Sequence, residues 1–327
     1  MGWGLIGALV IPGKPAVGAD ELVVTVLDVG QGLAVVMQCG NQTWVYDTGR
    51  RYPSGFDTGS AVVAPFLTSI GVAYVDGLVI SHGDLDHVGG FEGLGASIDV
   101  HRMISNVGTL DGTEPCISGA LWTDGGTRLE VLRPRVQPGT DHNNDSCVLK
   151  IQHFDATVLL PGDIEAVTEG ELLREVGSRV LKSDVLIAPH HGSFTSSTAQ
   201  CVAAVDASHV VFTVGYRNRY GLPSEQVVER YWARGTKLFR TDLQGAVCFR
   251  LSPGQAITEP ECYRQARRRP WRLQVDDLVD MHASRVWARS DRFPTGNMTG
   301  PSIESPSGLA ALAILSNPGR YSKCSNW

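Results

Sequence analysis

No two cysteines in this chain stand in a C-x-x-C spacing, and the seven present, from Cys39 to Cys324, are scattered and odd in number. That argues against a disulfide framework and against a cysteine zinc site, so Cys147 and Cys248, set in apolar strands, read as core residues. Long apolar runs are missing too. Residues 3–11 are apolar or glycine and residues 309–315 form a shorter run, neither long enough to span a bilayer alone. The first of these is a secretory signal, a plain leader or the stub of a longer membrane protein; no basic residue precedes it, as a signal would require. An excess of Lys and Arg is absent from the body. Residues 1–261 carry 18 basic against 29 acidic side chains, while residues 262–292 reverse the balance with eight Arg against four Asp. The acidic body argues weakly against nucleic acid, although cations held in an aspartate-lined pocket would offset part of that charge. The basic stretch is either a solvated charge run or a contact for phosphates.

What is present is concentrated in ten residues, Ser81-His82-Gly83-Asp84-Leu85-Asp86-His87-Val88-Gly89-Gly90, directly after the apolar run 77–80. Two imidazoles and two carboxylates at the end of a buried strand would suffer repulsion and desolvation unless a cation sat among them. Neutral imidazole with ionised carboxylate suits zinc or manganese. A polar turn with helix-capping aspartates is the simpler alternative, but further ligand types occur at other strand ends.

Strands are expected over 22–27, 33–38 and 43–46, separated by Gly or Asn turns. Two end on carboxylates, Asp28 and Asp47, each near glycine; such a residue either caps a turn or fixes the tautomer of a histidine. The spacing of Val62, Val63, Phe66, Leu67 and Ile70 predicts a helix with one core-facing stripe. Residues 141–146, which include Asp145 and Ser146, form either a plain loop or one that lines a pocket, because strands over 147–153 and 156–160 lead on to Gly162-Asp163. Asp163 reads as the N-cap of a helix over 164–176, as a carboxylate bridging two metals, or as both. A strand over 184–188 then delivers Pro189-His190-His191-Gly192-Ser193, and adjacent histidines at a strand end are seldom core residues. After a helix near 195–205 and a strand over 208–214, the segment Gly215-Tyr216-Arg217-Asn218-Arg219-Tyr220-Gly221 suits an anionic substrate or is a solvated loop. A helix over 223–234 and strands over 237–240 and 245–251 follow. With no sequence repeat, this order predicts two sheets with helices outside.

Taken together, His82-x-Asp84-x-Asp86-His87, Gly162-Asp163 and His190-His191-Gly192 resemble the metallo-β-lactamase superfamily, whose usual motif is H-x-H-x-D-H. More narrowly, Leu27-Asp28-Val29-Gly30-Gln31-Gly32, the run 81–90, and the segments 160–165, 188–193 and 214–221 are similar to the soluble C-terminal domain of ComEC-type DNA-internalisation proteins of natural competence. The similarity covers about residues 20–252. It implies an α/β fold, the metallo-β-lactamase αββα sandwich, for that stretch, after an apolar leader or membrane stub over 1–19. Composition, not the resemblance, predicts a flexible tail over 253–327, basic at first and then rich in Pro, Gly and Ser. Two divalent metal ions, Zn or Mn, are implied: His82 and Asp84 on the first, Asp86, His87 and His191 on the second, with Asp163 bridging. His191 is preferred to His190 because Ser193 stands two positions beyond it. His190 then transfers protons and joins Asp86 in catalysis; Ser193, Arg217 and Asn218 bind substrate; Asp28, Asp47, Asp145 and Ser146 support the ligands.

The activity implied is hydrolysis of DNA, single-stranded during uptake, with no nucleotide cofactor. A membrane channel domain upstream would tether the soluble hydrolase domain to a bacterial inner membrane, on a side the residues leave open. Three departures stand out. No histidine occupies the intermediate ligand position, near Asp145 or Ser146; Leu33 stands where the family commonly has Asp; Leu222-Pro223 stands where it often has His-Pro. They keep open a metallo-hydrolase of a small-molecule ester or phosphodiester, and a non-catalytic DNA-binding or remnant domain.

Overall fold

Neighbouring side chains along the central strands enter different interiors, and this period-two alternation sorts the chain into layers. In Gln42–Tyr46, Trp44 and Tyr46 face one core and Val45 another; in Gly77–Ile80, Val79 joins the first core while Leu78 and Ile80 join the second. The computed structural model describes residues 17–18, 20–134 and 143–266. The expectations for most of the apolar leader, for Asp141 and His142, and for the chain beyond 266 lie outside the described residues.

Eight strands form one sheet in the order Glu261–Cys262, Val247–Leu251, Leu22–Val26, Val35–Cys39, Gln42–Tyr46, Gly77–Ile80, Met103–Ser105, Glu114–Pro115. Seven form the other: Lys237–Arg240, His209–Phe212, Val185–Ile187, Ala156–Leu160, Val148–His153, Thr127–Arg133, Gly119–Asp124. Between them lies an apolar core fed by alternate residues of each, such as Val24, Met37, Leu149, Val158, Ile187 and Phe249. Outside the first sheet pack the helices Ala64–Ser69 and Phe91–Gly95, through Leu67 and Leu94. Outside the second pack Ala166–Leu181, Ala199–Val205 and Glu225–Trp232, through Leu172, Val202 and Val227. The result is the αββα sandwich. No helix among the described residues is long and apolar enough to cross a membrane.

Each sheet mixes antiparallel hairpins with parallel pairs. Gln42–Tyr46 runs parallel to Gly77–Ile80, and Ala156–Leu160, Val185–Ile187 and His209–Phe212 run parallel in turn. The carboxyl ends of parallel strands are where α/β folds place their ligands.

Two features differ from the sequence expectation. Cys147 is not simply a core residue: it forms a disulfide with Cys116, Cα–Cα 6.1 Å, joining the last strand of the first sheet to the second sheet. The two are 31 positions apart and share no motif, so only the face-to-face packing of the sheets pairs them. Cys248 keeps a free thiol that accepts from Thr25 Oγ1 at 3.5 Å. The first sheet also continues past residue 252, because Glu261 and Cys262 pair with Cys248 and Val247.

Candidate metal centre

Five parallel strand ends converge at one edge of the sandwich. Asp47 follows Tyr46, Ser81 and His82 follow Ile80, Asp163 follows Leu160 by three residues, His190 and His191 follow Ile187 closely, and Thr213 follows Phe212. The backbone turns sharply there. Asp47, His190 and His191 have φ of 57°, 49° and 54°, left-handed values that cost L-residues roughly 1–2 kcal/mol each and that gather where side chains must be aimed. Gly162, at φ 60°, lets two strand ends approach: a Cβ there would lie 2.7 Å from Ser146 and 3.1 Å from Ser81. Gly32 does the same for the loop under Asp86, whose carbonyl would be 2.4 Å from an added Cβ.

The donor atoms cluster at coordination spacing. His87 Nε2 lies 3.2 Å from Asp163 Oδ1 and 3.2 Å from His191 Nε2. His191 Nε2 lies 3.5 Å from Asp163 Oδ2 and 3.6 Å from Asp86 Oδ2. Ligands held about 2.0–2.2 Å from a tetrahedral ion stand roughly 3.3–3.6 Å from one another, so these separations are those of one shell. Among the described residues two overlapping groups can share an ion, His82 with His87 and Asp163, and Asp86 with His87 and His191. The second group is the trio expected for the second metal. The first differs from the expectation, because Asp84, mostly exposed at the rim with Oδ2 3.8 Å from His82 Nε2, joins neither group.

Each imidazole is held by its other nitrogen. Asp47, fully buried, accepts from Ser81 N–H at 2.7 Å, from Ser81 Oγ–H at 2.7 Å and from His87 Nδ1–H at 2.8 Å. Since the Ser81 hydroxyl proton goes to Asp47, Ser81 Oγ accepts from His82 Nδ1–H at 2.9 Å. Thr213 Oγ1 holds His191 Nδ1 at 2.9 Å. With protons on Nδ1, the Nε2 lone pairs face the centre, the tautomer a metal needs. His82 Nε2 is buried with no hydrogen-bond partner, an omission that costs about 1–3 kcal/mol unless something electron-poor meets it. The residues present fit a divalent cation.

The electrostatics agree. Burial alone would push the His87 pKa down, yet Asp163 and Asp47 outweigh it and hold the imidazole well above its usual range. Burial would push the Asp163 carboxyl up, and His87 and His191 instead pull it well below normal. Asp86 is likewise drawn to about 2, against its burial, by the hydrogen bond from His191 and the charges of His87 and His191. A proton on His87 does for these carboxylates what a cation would do more fully.

The remaining expected residues fall into three sets. His190 lines the centre, its Nε2 3.9 Å from Asp163 Oδ2 and its Nδ1 3.2 Å from both Glu165 Oε1 and Thr195 Oγ1. Ser146 lies under it: its Oγ accepts from Asp163 N–H at 3.0 Å and is 3.4 Å from His82 Nδ1, while Asp145 occupies the adjoining turn. Ser193 is buried against Thr195 at 3.0 Å and shapes the His190–His191 turn. Asp28 and Asn218 do something else. Asp28 pairs with Arg264 at 2.5 Å and caps Gly30 N–H, reaching no histidine. Asn218 spends its amide on its own loop, donating to Leu222 O at 2.8 Å and accepting from Leu222 N–H at 2.9 Å, whereas Arg217 is exposed over Tyr216.

Leu33 buries its side chain in the inter-sheet core. It serves the centre by backbone alone, its N–H donating to Asp86 O at 3.0 Å. Leu222 packs against the outer core of the second sheet. Sequence reasoning missed the roles of Ser81, Thr213, Glu165 and Thr195. Ser81 adjoins the motif and could have been suspected; nothing in the sequence ties Thr213 to a histidine 22 positions away.

Comparison with known proteins came to the same region. The family model of the metallo-β-lactamase superfamily matches residues 27–212. The chain is 38% identical over 245 residues to "Competence protein ComA" of Neisseria gonorrhoeae, covering 73% of this chain and 34% of that protein. It is 33% identical over 233 residues to "Uncharacterized protein YcaI" of Escherichia coli, covering 71% and 30% respectively. To "Recombination protein 2" of Haemophilus influenzae it is 30% identical over 261 residues, covering 78% and 32%. The chain thus spans about a third of the length of the curated relatives it matches.

Proposed function

This chain belongs to the metallo-β-lactamase superfamily, as a ComEC-type competence domain, and from that premise we propose that it is a dinuclear metal-dependent phosphodiesterase hydrolysing DNA during uptake. The observation that carries the reading is the convergence of three Nε2 atoms, from His82, His87 and His191, with the carboxylates of Asp86 and Asp163. Relatives named for competence and for recombination support DNA as substrate.

His82, Asp86, His87, Asp163 and His191 would hold zinc or manganese, with Asp84 at the open rim. Bound there, divalent cations supply Lewis acidity, which activates water and neutralises charge on phosphate oxygens. The chain's own residues do the rest. Asp47 and Ser81 fix the ring planes of His87 and His82; Asp163 keeps the two groups of ligands together. His190 Nε2 faces the centre while Glu165 and Thr195 hold Nδ1–H; as an imidazolium supported by the Glu165 carboxylate, His190 would give its Nε2 proton to the leaving 3′-oxygen. Arg217, exposed and free of carboxylate partners among the described residues, is placed for phosphate. In the whole protein, a membrane channel upstream would deliver the single strand.

The test is cleavage of single-stranded DNA by the purified chain loaded with manganese or zinc, beside elemental analysis of bound metal. About two equivalents of metal and short products are expected, with loss of both in the His82→Ala/Asp86→Ala double variant. Equal cleavage by the two proteins would sink the proposal, and hydrolysis of a simple aryl phosphodiester without any action on DNA would move it to a small-molecule hydrolase.

A further inference from the structure

Two loops beside the metal centre expose aromatic rings that the hydrolytic chemistry does not use. Tyr52 and Phe56 lie on the loop after Asp47, 36% and 51% exposed, with ring centroids 5.6 Å apart. Tyr216 and Tyr220 lie on the loop after Thr213, 43% and 51% exposed. Rings of this size left open to water cost solvation unless something covers them at work.

An arginine accompanies three of the four. Arg50 stands 5.5 Å from the ring centre of Tyr52, Arg217 5.1 Å from that of Tyr216, and Arg219 4.9 Å from that of Tyr220. Among the described residues none of these guanidiniums has a carboxylate in salt-bridge range, although the body of the chain is acidic; Arg51 by contrast is paired with Glu92. The two loops also touch. The Tyr220 hydroxyl accepts from Arg219 at 2.9 Å, and the cations of Arg219 and, from the other loop, Arg50 draw its phenol below the usual range.

The surface adjoins the centre. Arg50 is three residues from Asp47 and Tyr216 three from Thr213, so each backbone position lies within about 11 Å of a residue that orients a ligand histidine. Arg51 N–H donates to Leu85 O at 3.2 Å, within the ligand loop itself.

We propose that Arg50, Tyr52, Tyr216, Arg217, Arg219 and Tyr220 form a stacking platform for the unpaired bases of single-stranded nucleic acid entering the metal centre. This deepens, and rests on, the DNA hydrolase reading. Rings take base faces, sequence-tolerantly, while the guanidiniums beside them meet phosphates; a duplex keeps its base faces covered and gains only the phosphate contacts.

The experiment is fluorescence anisotropy of the full chain in chelator, so that nothing is cleaved, with a labelled oligothymidylate and an abasic oligomer of equal length. Tyr216→Ala and Tyr220→Ala should each weaken oligothymidylate binding by about fivefold or more, the loss expected for one stacked base. Tyr216→Phe and Tyr220→Phe, which keep the ring, should restore it. The abasic oligomer should bind weakly to every variant alike. Alanine variants that bind oligothymidylate as tightly as the unaltered chain would overturn the platform, as would equal losses on both oligomers. Failure of the unaltered chain to bind either oligomer also overturns it, and cleavage of DNA in added metal then decides separately whether the hydrolase reading survives.

Discussion

Replacing Asp47 by Asn tests the idea that ligand tautomers are set from behind. The buried carboxylate accepts three hydrogen bonds, one at Oδ1 from Ser81 N–H and two at Oδ2, from Ser81 Oγ–H and His87 Nδ1–H. Asparagine keeps a carbonyl for the first and turns an NH2 donor toward the other two. His87 must then leave its Nδ1 proton facing a donor, at about 1–3 kcal/mol, or move that proton to Nε2, where it points at the cation. Either way the substitution removes support of the kind that costs 10- to 100-fold in metal affinity, about 1.4–2.8 kcal/mol. Competition against a chelating dye measures it, with circular dichroism to show that the variant folds. Asp28→Asn, a carboxylate of similar sequence setting that pairs with Arg264 instead, should leave the affinity unchanged. A folded Asp47→Asn protein binding metal as tightly as the parent would refute the reasoning.

Three further outcomes follow from the packing. Gly162→Ala forces a Cβ to within 2.7 Å of Ser146 at a left-handed φ, so it should cost about 2 kcal/mol or more and lower the melting temperature by about 4–8 °C; an unchanged melt would mean the two strand ends are looser than described. His209, stacked on Phe239 in the inter-sheet region, has its pKa drawn from 6.5 to about 4 by burial and then by Lys237. The unfolded chain therefore takes up this proton first, and the stability that neutral His209 contributes, up to about 3 kcal/mol, is present above pH 6.5 and lost as pH falls toward 4; His209→Gln should flatten melts recorded across that window. Reducing Cys116–Cys147 frees a loop of 31 residues and should cost about 3–4 kcal/mol in the chain-entropy account, read as a lower melt in reductant, whereas thiol titration finding both cysteines free in the native protein would contradict the bond.

Residues 81–90 and 188–193 announced the candidate metal centre because local spacing at a strand end decides which side chains leave the sheet together, and the order of strands and helices announced two sheets with helices outside. The sequence could not rank Asp28 above or below Asp47, since each is an aspartate at a strand end near glycine. Sheet order separates them: Gln42–Tyr46 lies beside Gly77–Ile80, so Asp47 meets Ser81 and His87, while Asp28 meets the segment after Glu261–Cys262. Thr213 behind His191, Cys116 against Cys147, and Asn218 turned inward to its own loop are hidden for the same reason. By itself the sequence determined the donor types and the strand ends that carry them, because those depend on neighbours a few positions away. Only the tertiary structure decided which donors come within reach of one cation and which groups hold them, because contacts across 22 to 104 positions depend on strand order, register and the meeting of two sheets.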